Sequence, residues 1–73
     1  MNIYETKDAR ERYIAYAHVE GLVRYRVTKN GPWHKLQWKL RLQDFSSGEL
    51  LAIGSCMSGL TEVPKGVTLE VEE

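Results

Sequence analysis

The chain has a single cysteine, Cys56, so no disulfide can close within its 73 residues. A lone cysteine in an apolar run reads as a small buried hydrophobe rather than a reactive thiol. Long hydrophobic runs are also missing. The longest, such as Leu50-Leu51-Ala52-Ile53, are far too short to span a membrane. Met1-Asn2-Ile3-Tyr4-Glu5 lacks the basic-then-apolar pattern of a secretory leader. A free thiol without an export signal points to a cytoplasmic setting, away from membranes.

Catalytic and cofactor signatures are equally sparse. His18, His34 and Cys56 show no CxxC or HxxxH spacing, so neither a metal nor any other cofactor is expected. Gly54-Ser55-Cys56-Met57-Ser58-Gly59 resembles a nucleophile turn only superficially. It is not GxSxG, and the chain is too short for the strand-and-helix frame that motif requires. A flexible turn at a strand end is the plainer reading. No glycine-rich phosphate loop is present. These absences point to one small domain, residues 1–73, that binds something rather than catalysing a reaction. A domain this size buries only about 60–65% of the surface of its unfolded chain. Its core is thin, and a homo-oligomer is one way to add burial.

The chain also lacks acid in its middle. Residues 24–41 carry six bases (Arg24, Arg26, Lys29, Lys35, Lys39, Arg41) and no acid. Residues 1–23 carry three bases and four acids, and residues 42–73 carry one base and six acids. The net charge of zero therefore hides a segregated distribution, and local fields matter more than the total.

Leu22 to Thr28 alternates apolar and polar with period two, the mark of a half-buried strand. Asn30-Gly31 follows, the dipeptide favoured in two-residue hairpin turns. His34-Leu36-Trp38-Leu40-Leu42 then alternates with Lys35-Gln37-Lys39-Arg41-Gln43 as a second strand. With Asn30 and Gly31 as the turn, Val27 opposes His34 and Arg26 opposes Lys35, and the apolar side chains of both strands share one face. Glu49–Met57 reads as a third strand, apolar on both faces, and Val67–Glu72 as a last, one-sided strand. Residues 8–20 are open to two readings. Asp8 with Glu11 fits a helix capping box and Gly21 a helix end, whereas Tyr13–Val19 is rich in strand formers. Residues 1–4 form either an edge strand or a free arm.

The expected fold is mostly β, a small α+β or all-β domain. It is an antiparallel meander of four to five strands near 22–29, 32–43, 49–57 and 67–72, with residues 8–20 as a covering helix or an extra strand. The candidate site is the basic outward face of the hairpin, with Arg24, Arg26, Lys35, Lys39 and Arg41. Trp33 beside the turn is a possible base-stacking platform. Like charges at Arg26 and Lys35 ask for an anionic partner such as nucleic-acid phosphates. A solvated face, or one paired with Glu70, Glu72 and Glu73 inside the fold, accounts for the same residues. The alternative function is a regulator or inhibitor that binds a larger protein, with Trp33, Tyr4 or Tyr16 as anchors.

Overall fold

The computed structural model describes residues 1–36 and 42–72; residues 37–41 and Glu73 lie outside them. The expected strand over 32–43 therefore falls largely outside the described residues. Five strands form one antiparallel sheet: β1 (Asn2–Lys7), β2 (Tyr13–Val19), β3 (Leu22–Arg26), β4 (His34–Lys35) and β5 (Thr68–Val71), in the order β4-β3-β2-β1-β5. A 3-10 turn (Leu42–Asp44) leads into one helix, α1 (Ser47–Ser58), which lies on β1 and β2.

Residues 13–19 are thus the extra strand, not a covering helix. The reason lies in the preceding loop. The Asp8 carboxylate accepts the backbone N–H groups of Arg10 and Arg12, each at 2.9 Å, and the Arg12 Nε at 3.0 Å. The backbone of Asp8 and Arg12 closes the same loop at 2.9 Å, with Glu11 at φ 60°. An aspartate that can cap a helix can equally satisfy a tight turn, and here the turn prevails. These bonds to backbone N–H groups, Arg12's foremost, hold the Asp8 carboxyl below the ordinary carboxylate pKa.

The hairpin β2–β3 closes through Glu20-Gly21, whose φ angles of 55° and 81° are both positive, as a type I′ turn requires. Asn30-Gly31 does not play that role. It lies within the longer 27–33 connection, where Asn30 sits at φ 64° and the Gly31 N–H donates to the Thr28 carbonyl at 2.9 Å. Gly31 is needed for closeness, since a Cβ there would meet Thr28 Oγ1 at 2.1 Å. The observed pairs are Arg24↔Lys35 and Tyr25↔His34, two residues away from the expected register. A two-residue displacement keeps every side chain on its face.

The N-terminal residues are neither an edge strand nor a free arm, since β1 (Asn2–Lys7) is an interior strand. β1 pairs with β2 on one side and with β5 on the other, Asn2 opposite Val71 and Tyr4 opposite Leu69.

The expected strand over 49–57 is a helix. Ser46 and Glu49 form a reciprocal capping box, each side chain accepting the other's backbone N–H at 3.0 Å. Gly59 ends the helix in the left-handed conformation, and the Gly59 and Leu60 N–H groups reach back to the Cys56 and Ser55 carbonyls. Tyr4, Ile14, Tyr16, Leu36, Ala52, Ile53, Cys56 and Val67 make the core between α1 and the sheet. Glu49 is buried there and accepts the Tyr16 hydroxyl at 2.6 Å. Burial first, and then this carboxylate, push the Tyr16 phenol well above the usual tyrosine pKa.

Candidate functional site

The sheet face away from α1 carries the residues expected to form a basic surface. β3 alternates, so Arg24 and Arg26 point to this face while Val23 and Tyr25 pack against the core. Arg26 is only 2% exposed. Its Nε donates to the Tyr13 hydroxyl at 3.0 Å, and its Nη2 lies 3.5 Å from Glu5 and 3.7 Å from Glu70. The Tyr13 hydroxyl donates in turn to Glu5 at 2.7 Å. Lys29 Nζ reaches the same two carboxylates at 3.8 and 3.7 Å. Two cations and two carboxylates therefore balance within one cluster drawn from β1, β3, β5 and the 27–33 connection. Burial, ahead of the hydrogen bond to Glu5, raises the Tyr13 pKa.

Trp33 belongs to the same cluster. Its ring centre is 4.9 Å from the Arg26 guanidinium carbon, and it also packs against Ile3, Ala15 and Ala17. The ring that could have stacked on a base covers an arginine instead. Arg24 is half-buried; its Nε donates to the Val19 carbonyl at 3.2 Å, with Glu20 at 3.9 Å. Lys35 is exposed opposite Arg24. Lys39 and Arg41 lie outside the described residues. Of the expected site, then, Arg26 and Trp33 are brought together as structural partners, and Glu70 of the acidic segment reaches Arg26. Tyr4 and Tyr16, considered as anchors, are each 1% exposed and belong to the core.

Elsewhere the surface offers a different feature. The 3.6-residue period places Leu50, Leu51, Gly54, Met57 and Ser58 on the outward arc of α1, and Leu60 follows at its end. Leu50, Leu51, Met57 and Leu60 are 41–61% exposed. The only charged residue of the helix is Glu49, which faces inward. A groove of about 630 Å³ runs between this arc and Leu60, Glu62, Val63 and Pro64. Reading 49–57 as a strand hid this face. The signal that reveals it is Ser46-x-x-Glu49 before an apolar run, with Gly59 after it.

Two other hollows are chemically quieter. A cleft of about 690 Å³ lies at the end of β1, walled in part by Lys7, Asp8, Ser46 and Gly48. Asp8 is committed to its own loop, and Ser46 to Glu49 N and the Lys7 carbonyl. His18 and Cys56 share a smaller cavity of about 240 Å³. Burial raises the Cys56 thiol pKa, the opposite of what an activated nucleophile needs. Among the described residues no three His, Cys, Asp or Glu side chains gather as a metal site, and no helix is long and apolar enough to cross a membrane.

Comparison with protein-family models, with curated proteins and with solved structures finds no match to this chain.

Proposed function

We propose that this chain is a small, non-catalytic protein-binding module of the regulator or inhibitor kind, with the outer face of α1 as its contact surface. The observation that carries the reading is the exposure of Leu50, Leu51, Met57 and Leu60 on a helix without an outward charge. Together these side chains expose roughly 350 Å² of apolar surface, within the range of the largest patch on a typical monomer, which often serves a function. The expected nucleic-acid reading has less support. Arg26 and Trp33 are occupied by each other, and Arg26 also by Glu5 and Glu70, leaving Lys35 and the half-buried Arg24 of the expected binding residues that are described. The buried, unactivated Cys56 thiol favours binding over catalysis and suits a cytoplasmic, reducing setting.

The test compares the wild type with Leu51→Asp, a substitution on the solvent side that leaves the core intact. Immobilised wild-type chain is expected to retain a defined protein from native lysate, and the variant to lose it. Fluorescence anisotropy with single-stranded and duplex oligonucleotides at low salt is expected to show no binding. Salt-sensitive oligonucleotide binding, together with identical capture by both chains, would return the function to nucleic acid.

A further inference from the structure

The geometry points to a second copy of this chain as the occupant of the α1 face, the two helices packing antiparallel about a two-fold axis beside Gly54. This inference rests on the protein-binding reading of the same face and names its partner.

Charge is the first argument. Among the described residues, the two edges of the sheet carry ionisable groups that oppose self-pairing. The free edge of β5 bears Glu70, with Glu72 just past its end, and the β4 edge bears Lys35. Two copies meeting there would set like charges against one another. The outward residues of α1 carry no charge, and Glu62 is the one ionisable residue lining the groove beside them, so the helix surfaces themselves can meet without that cost.

Shape is the second. At 100° per residue, Gly54 centres the outward arc, with Leu50 and Met57 along one flank and Leu51 and Ser58 along the other. A two-fold axis across the helix at Gly54 reverses the direction of the partner but keeps the flanks matched. Leu50 of one copy then faces Met57 of the other, and Leu51 faces Ser58. Large side chains oppose an adaptable methionine on one flank and a small residue on the other. Among the described residues nothing lies within 4 Å of where a Gly54 Cβ would stand, so the glycine answers to no contact with them. A mid-helix glycine costs about 1 kcal/mol relative to alanine, and close approach of a second helix gives it a use.

Area is the third. With the flanking Leu60, Val63 and Pro64, each copy would bury roughly 500–600 Å², at the low end of specific interfaces. The resulting dimer is reversible, with a Kd on the order of 10–100 µM.

Sedimentation velocity on the whole chain, from about one-tenth to ten times that Kd, should show a mass rising from 8.4 kDa toward twice that value. The rise should be little affected by salt, because no ion pair spans the interface. Gly54→Glu and Gly54→Lys should each be folded by circular dichroism and monomeric, since either side chain enters open space and improves helix propensity. A monomeric wild type at the highest concentration would overturn the inference. So would a dimer that dissociates with salt or one that survives Gly54→Glu. A monomeric wild type that still captures another protein, with capture lost in Leu51→Asp, would overturn the self-pairing alone. The protein-binding reading fails separately, if the wild type neither self-associates nor captures a protein that Leu51→Asp loses.

Discussion

Arg26→Leu tests the reassignment of the basic face. The substitution removes the cation that lies 3.5 Å from Glu5 and 3.7 Å from Glu70, and the partner stacked on Trp33. Breaking a buried ion pair from one side costs about 3–5 kcal/mol, because the remaining charge stays desolvated. Two features reduce that figure. Lys29 still reaches both carboxylates, although its side chain is 60% exposed and screened, and Glu70 is itself partly exposed. Loss of the stacked cation adds up to about 1 kcal/mol. The expected loss is about 3 kcal/mol, a large part of the roughly 4–11 kcal/mol a domain of this length possesses. Urea unfolding followed by far-UV circular dichroism avoids the Trp33 fluorescence change that the substitution itself would cause. With a slope of about 1 kcal/mol per molar for so small a domain, the midpoint should fall by about 3 M. Lys35→Ala, from the same stretch of sequence, should change stability by less than about 0.5 kcal/mol. Adding Glu5→Leu to Arg26→Leu removes the stranded carboxylate and should recover about 1–2 kcal/mol despite the second substitution. Equal, small effects at Arg26 and Lys35, or a double variant weaker than the sum of its parts, would refute the cluster as described.

Other residues give independent checks. Glu49→Ala removes both the capping box and the acceptor of the Tyr16 hydroxyl, and should lower stability by about 2–3 kcal/mol in thermal or urea unfolding. Glu49→Gln, which keeps an acceptor oxygen, should cost less. Asp8 has its carboxyl held below the ordinary value of 3.8, so its contribution is complete above that pH and is lost as pH falls through the lowered folded value. Unfolding measured from neutral pH downward should therefore be flatter through that acid window in Asp8→Asn. Cys56 is buried and its thiol pKa is raised, so a thiol-reactive disulfide reagent should modify it slowly in the native chain and fully in urea.

The alternating strands were legible because one face of each is buried and the period of two is local. β3 and β5 lie where alternation places them, and the face assignments survived the register error because that error was an even number of residues. Three features were not legible locally. Glu20-Gly21 adopts the two positive φ angles, whereas Asn30-Gly31, the stronger dipeptide signal, serves a longer connection. In the observed register Trp33 comes beside Arg26. Asp8 has equal use in a helix cap and in a turn, and only the pairing of β1 with β2 selects between them. α1 was concealed by its own outer face, since an apolar residue at every position from 50 to 53 mimics a strand covered on both sides. The pairing of Arg26 with acids was not legible for a different reason. Charge segregated along the chain need not be segregated in space, and Glu5 and Glu70 arrive at Arg26 from strands 21 and 44 residues away.

The pairing of β1 with β5 has a consequence for how the chain is made. One ladder of β1 closes against residues that follow within about ten positions, but the other waits for Thr68–Val71. During synthesis the first three strands can pair while the backbone of β1 toward β5 remains open to water, or to the same edge on a neighbouring nascent chain. Completion of the sheet is thus a late event of high contact order, slow compared with the formation of the two early hairpins. Substitutions in β5 should accordingly act on unfolding rate more than on the early steps of folding, and crowded expression should favour misassembly along the edge that β5 closes last.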